Sequence, residues 1–418
     1  MGAEQRPRVG GASATTAVNL GYYSHVDAVV LPDGSARLPS AVGNLVRTLA
    51  RASGGMMTLY LHGSSGRVGI EDMQLAPPLV RAVDIGPRRS APARFFSPGR
   101  SLRGFQPGSD GAEAVIVQGP SPLLPHIVRA CHDVPVILFI WGDYAGWRSQ
   151  TQFPAWRNAA IRSWAMLYGM RQRRASRGHL AFVNNPQLIS SVPHATVKTV
   201  TFTTVSQASI AALEPVSTDW GPDKARTDPL RLLYSGRIVR DKGVLEAVRC
   251  LDALRARGYT ATLDLVGWTQ DSDPVLDDVR RLARSLDVEA LVHIGGYIPS
   301  GPELFRAYAR ADVFVIPTYW DSLPRSMLEA MAIGLPVVAS NVGGIGHFFR
   351  DRDTALLIEP RRVDQLADAI EQLILDPELR KRVSGNGRVW SLEHTQEVET
   401  EEIVSEVRKH VASAKVGP

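Results

Sequence analysis

The stretch 313-VFVIPTYWDSLPRSMLEAMAIGLPVVAS-340 decides the fold. Val313–Pro317 is a short apolar run with the β-branched content of a buried strand. Arg325–Ile333 has helical spacing, and Pro336–Ser340 returns to a β-branched run. A helix between two such strands is a crossover, so the strands run parallel and both faces of their sheet are covered. The same stretch carries two carboxylates, Asp321 and Glu329, in a segment otherwise built for packing.

Working outward, Leu230–Ser235, Thr260–Val266 and Leu291–Gly295 also read as strands, with helices over Gly243–Arg257, Val275–Leu286 and Glu303–Ala311. In the first half, Ala17–Tyr23, Met56–His62, Ala114–Gln118, Val134–Ile140 and His179–Val183 are strand-like. Helices are expected over Pro39–Arg51, Leu123–Cys131 and from Phe153 to about Arg177. Residues 67–109, rich in Pro, Gly and Arg with little periodicity, predict a long loop. The polar segment EPVSTDWGPDKARTDP, 214–229, separates the halves. The expectation is an α/β protein of two Rossmann-like doubly wound domains: 1–213, with 1–16 a disordered tail, and 230–392, joined by the linker 214–229. A C-terminal helix within 393–418 would pack back on the first domain. Ligands of such domains bind at the carboxyl ends of the strands.

Composition narrows the function. The 418 residues are 44% apolar and 21% charged, as in a globular protein. A net charge of +5 invites an acidic partner, yet only six residues are lysine, and no basic run with interleaved aromatics marks a nucleic-acid module. Cys131 and Cys250 lack metal-type spacing and fall in different domains, which suits a reducing compartment. The longest apolar run, Val134–Trp141, is far below the roughly 20 residues of a membrane span. A cytoplasmic protein is expected. Trp156–Arg177 holds six arginines and no acid, but they spread around the helical wheel, so an interfacial membrane helix is not favoured.

Two motifs carry chemistry. In LLYSGRIVRDKGV, 232–244, Gly236 allows a tight exit from a strand, Arg237 stands at the strand's carboxyl end, and Lys242 and Gly243 open the next helix. A guanidinium fork and an ammonium near a helix start suit a diphosphate. The plain alternative is a solvated turn. In the second motif Asp321 or Ser322 can cap the helix, with Pro324 in its first turn. Asp321 is thus a cap or a ligand-binding acid. Glu329, between Met327–Leu328 and Ala330–Met331, needs partners if buried; it either holds the vicinal hydroxyls of a ribose or faces solvent.

Residues 230 to about 392 resemble the donor half of retaining glycosyltransferases of family 4, whose architecture is GT-B. SGRIVRDKG and DSLPRSMLEAMAIGLPVVAS carry the likeness, and LVGWTQDSDP, ARADVFVIPT and NVGGIGHFFRDRDTALLIEPRRVDQLADAI follow in order. The resemblance implies that Arg237 and Lys242, with Gly236 beside them, bind the diphosphate of a nucleotide-sugar donor. It implies that Glu329 holds the ribose and that Ser322, Leu323 and Pro324 face the donor sugar. Tyr297 and Ile298 would read the base. Asp321 stands where the family usually has Glu, and Ser322 where it often has Gly. In the first half the likeness is only in outline. FIWGDY offers Asp143 at a strand end where the family usually has His, while Trp141 could simply pack; His25 and His126 are alternatives.

The function implied is transfer of a sugar from a nucleotide-diphosphate donor to a hydroxyl acceptor, glycan, lipid-linked or small, without metal or other cofactor. A sugar-nucleotide epimerase, a phosphorylase and a non-catalytic nucleotide-sugar binder are the alternatives on the same architecture.

Overall fold

The computed structural model describes residues 16–63, 72–142, 144, 155–211, 214–270, 273–299 and 301–416. In chain order the strands of the first sheet are β1 (Val18–Val30), β2 (Ala36–Pro39), β3 (Gly54–Gly63), β4 (Asp72–Leu75), β5 (Val80–Asp84), β6 (Ala114–Gly119), β7 (Val136–Ile140), β8 (Leu180–Val183) and β9 (Thr196–Thr199). Those of the second are β10 (Leu230–Ser235), β11 (Ala261–Val266), β12 (Val292–Gly296), β13 (Val313–Ile316), β14 (Val337–Ser340) and β15 (Leu356–Ile358).

The second sheet follows from its apolar runs. β10, β13 and β14 are buried almost throughout, as strands covered on both faces must be. The order is β12-β11-β10-β13-β14-β15, and every pair is parallel. Leu232 lies opposite Leu263 on one side and Val313 on the other. The helix Val244–Ala256 covers this sheet with Val244, Ala247, Val248, Leu251 and Leu254, the apolar stripe that its spacing dictates. Truncating a fully packed residue such as Leu251 to Ala costs about 2–5 kcal/mol. Between β10 and β13 the order reverses, and ligands of doubly wound sheets bind at such a point.

The first sheet runs β4-β2-β1-β6-β7-β8-β9, with β3 beside β1 and β5 beside β3. The β1–β3, β3–β5, β7–β8 and β8–β9 pairs are parallel; β2 pairs antiparallel with β1 and with β4. Here the expectations need correction. Residues 72–109 are not a long loop: they hold β4, β5 and the helix Ala91–Phe96. Pro and Arg dominate the composition there, but the alternating VRAVD of β5 fits beside β3. The segment 214–229 is not a bare linker, since it holds the helix Pro222–Thr227 and the buried Trp220, whose ring lies 3.9 Å from the Arg380 guanidinium.

Two compact units result. One is drawn from the chain up to Ile116, from Cys131–Val136 and from Val404 onward; the other from Val117–Ala130 and Ile137–Ile403. In the first, Arg408 of the helix Gln396–Val416 donates to the carbonyls of Thr16, Ala52 and Ser53, and Lys415 pairs with Glu113. Cys131 and Cys250 are free, and burial pushes both thiols up to about 12. No helix among the described residues is long and apolar enough to cross a membrane.

Candidate active site

The candidate residues gather at the reversal between β10 and β13, inside the second unit. β10 ends at Ser235, and the turn Arg240–Lys242 leads through Gly243 into the helix Val244–Ala256. Gly243 has φ of 73°, and a Cβ there would lie 1.9 Å from the Pro317 carbonyl oxygen. The missing side chain lets the loop after β13 lie directly on the turn. The Asp241 carbonyl accepts from the Tyr319 amide at 2.8 Å and the Thr318 hydroxyl at 3.2 Å.

This close approach sets the charges. Lys242 Nζ meets the Asp321 carboxylate at 2.5 Å and the Trp320 carbonyl at 3.4 Å. Both side chains of the ion pair are mostly shielded from water. Arg240, two residues earlier, turns to Asp278, which also holds Arg281. Arg237 is half-buried; its carbonyl accepts from the Tyr234 phenol at 2.7 Å, while its guanidinium has no hydrogen bond or ion pair among the described residues. Burial raises the Tyr234 phenol strongly; Asp321 adds to the rise and Arg237 opposes it, so both charges act at one phenol.

The helix Arg325–Ala332 starts with Pro324 at its N-cap and no side-chain cap. The expected capping role of Asp321 or Ser322 is therefore absent. Asp321 is held by Lys242, Ser322 Oγ donates to the Trp141 carbonyl at 3.3 Å, and Pro324 precedes the first turn instead of sitting in it. Leu323 packs into the core. Glu329 is 7% exposed, which rules out the solvent-facing reading. Thr204 Oγ1 donates to its Oε1 at 2.8 Å and the Tyr308 phenol to its Oε2 at 3.0 Å. Burial raises its pKa against these two hydrogen bonds. The two acids thus have unlike surroundings: Asp321 pairs with a cation, Glu329 with hydroxyls.

Beneath the loop runs a pair of glycines. A Cβ on Gly343 would lie 1.8 Å from the Asp321 carbonyl oxygen, and one on Gly344 2.0 Å from that of Ser322. The Gly344 amide donates to the Ser322 carbonyl at 2.5 Å. Trp141, at the end of β7, stacks at a tilt on Phe202, with ring centroids 5.1 Å apart. Tyr297 is half-exposed and Ile298 packs against the core. Asp143 lies outside the described residues. Sequence reasoning missed Thr204 and Tyr308, the first in a polar loop and the second reading as a core aromatic; the Gly343–Gly344 pair was visible but had no assigned role. Among the described residues no group of three or more His, Cys, Asp or Glu is placed to hold a metal ion.

A switch point within a doubly wound parallel sheet, in a chain with a second α/β sheet before it, fits the GT-B class. Solved structures agree across nearly the whole chain. Sucrose-phosphate synthase from Thermosynechococcus elongatus superposes with a TM-score of 0.70 at 19% identity, covering 95% of this chain and 100% of that one. Anabaena HepE, solved with UDP and glucose, gives 0.63 at 13% identity over 94% and 99%. Residues 219–390 match the model of the glycosyl transferases group 1. Glycogen synthase of Mycobacterium tuberculosis is 34% identical over 159 residues, 38% of this chain and 37% of the relative. The match therefore spans well under half of that relative's length.

Proposed function

We propose that the protein is a retaining glycosyltransferase that moves a sugar from a nucleotide-diphosphate sugar to a hydroxyl acceptor without a bound metal. The observation that carries this reading is the unpaired Arg237 guanidinium beside the Lys242–Asp321 pair at the β10/β13 switch point. A diphosphate would take Arg237 as a fork and draw Lys242 away from Asp321, with the start of the helix Val244–Ala256 adding its dipole. Asp321, released, would accept a hydroxyl of the donor sugar. Of Ser322, Leu323 and Pro324, only the first two have a backbone amide to donate, because proline has none.

Glu329 keeps further lone pairs beyond those used by Thr204 and Tyr308, and these would take the ribose hydroxyls. Tyr297 and Ile298 would line the base. In the transfer, the acceptor oxygen bonds to the anomeric carbon as the bond from that carbon to the diphosphate breaks. The electron pair leaves on the diphosphate, which takes up the acceptor's proton. Arg237 and Lys242 would stabilise the charge that develops there, the task a metal ion performs elsewhere.

The test is a panel of UDP-, GDP- and ADP-sugars screened by thermal shift, followed by a transfer assay with and without EDTA. One donor should stabilise the protein, and transfer should survive the chelator. Loss of transfer in EDTA, restored by magnesium or manganese, would overturn the metal-independent reading.

A further inference from the structure

The first unit holds a polar cluster that donor binding does not use. β1 and β3 pair in register at Tyr23 and Tyr60 and again at Asp27 and His62, so Ser24, His25 and Val26 bulge opposite Leu61 alone. His62 is fully buried at the end of β3, where its Nδ1 lies 2.9 Å from the Gly86 carbonyl. That contact puts the proton on Nδ1 and leaves Nε2, which is buried, without a partner. His25 Nδ1 is buried and unpartnered too. Arg94, from the helix Ala91–Phe96, is only 8% exposed, yet its Nε and Nη1 have no partner.

The nearby acids are engaged. Asp27 pairs with Arg88, and Asp84 Oδ1 accepts from the Gly63 and Gly86 amides at 3.1 and 2.9 Å. A buried guanidinium without a counterion is costly. Nε–H and Nη1–H leave the guanidinium on different edges, so one bound anion meets one of them. A carboxylate has only two oxygens for that N–H and the two imidazoles, whereas a tetrahedral dianion has an oxygen for each.

We propose that His25, His62 and Arg94 form a binding site for the phosphate group of a small phosphate monoester. The site stands on the first unit alone and does not depend on the transfer reaction. Without ligand, the electrostatics hold both imidazoles neutral. Burial, then Arg94, Arg88 and His62, push His25 down to about 4, with Asp27 opposing. Burial, helped by Arg94 and Arg88, also lowers His62 against the Gly86 carbonyl and Asp84. A bound dianion reverses this balance, so binding takes up protons and tightens as pH falls.

Isothermal titration calorimetry on the full chain tests the site. Sulfate stays dianionic from pH 6 to 8, whereas a phosphate monoester titrates near pH about 6, so any pH dependence of sulfate binding belongs to the protein. The Kd for sulfate should be at least about tenfold lower at pH 6 than at pH 8. Arg94→Met should abolish binding, and His62→Gln should weaken it and flatten the pH dependence, while UDP binding by both variants stays as in the parent. Should Arg94→Met fail to fold, His62→Gln and His25→Asn carry the same test. Inorganic phosphate, a hexose 6-phosphate and the plain hexose separate the sources. A sugar phosphate binding more tightly than phosphate, with the plain hexose silent, supports the monoester; phosphate binding as tightly as the sugar phosphate overturns that assignment. No sulfate or phosphate binding by the parent at pH 6, or equal affinity in the variants, overturns the site itself.

Discussion

Arg240 and Lys242 share one turn, yet one is spent on Asp278 and the other on Asp321. That difference is testable by kinetics. Arg237→Ala and Lys242→Ala should each lower kcat by about 100- to 1,000-fold, the usual cost of a preorganised contact to a charged transition state. Arg240→Ala should change kcat by less than about tenfold, since its partner lies on the helix Val275–Ser285. Equal damage at all three positions would mean a diffuse basic patch. A second residue-scale prediction concerns Glu399, which is buried and accepts from the Thr201 amide and hydroxyl at 2.8 and 2.6 Å. Burial outweighs these bonds and pushes its pKa up from 4.5 to about 7. The folded state therefore holds the proton longer than the unfolded chain. The stability contributed is full below pH about 4.5 and lost as pH rises through 7. Glu399→Gln does not titrate, so from pH 4.5 to 8 it should gain roughly 3 kcal/mol on the parent. Urea melts at several pH values measure this, and parallel curves for the two proteins would refute it. Nothing in ETEEIVSEV marks which acid turns inward, so Glu399 was not legible in the sequence.

At the scale of elements, the glycine pair under the Asp321–Ser322 loop acts through backbone contact, and so leaves no side-chain signature. Gly344→Ala must relieve contacts with both the Ser322 and the Asn184 carbonyls, 2.0 and 2.7 Å from the added methyl. The expected cost is about 1–3 kcal/mol, with a fall in kcat/KM because the loop carries Asp321. Gly385→Ala is the contrast. It lies in the helix Pro377–Glu393 with open space around it, and the change should stabilise by about 0.5–1 kcal/mol and leave kinetics unchanged. Thermal melts paired with kinetics on both variants decide the matter; a harmless Gly344→Ala would show that the loop yields. Five of the six strands of the second sheet were legible because each is a short β-branched run bounded by turn residues, and the helices between them keep one apolar stripe. The short strands β2, β4, β5, β9 and β15 were not, because each offers too few residues for a period to emerge and is fixed by its pairing partners.

At the scale of the whole molecule, both units have buried cores, but the first is closed by a helix from the far end of the chain. Val404, Val407 and Val411 are buried, and Arg408 takes the last carbonyls of the helix Ser40–Ser53. Arg408→Ala should lower stability by about 1–3 kcal/mol, read by thermal melting, with little change in nucleotide affinity. An unchanged melting temperature would make the contact incidental. A consequence follows for synthesis. After Ile116 leaves the ribosome, roughly 290 residues must be made before Val404 appears, which at about 5–20 residues per second takes roughly 15–60 seconds. Through that interval the nascent first unit waits with an apolar face open to water, and it is then that a chaperone would have something to hold.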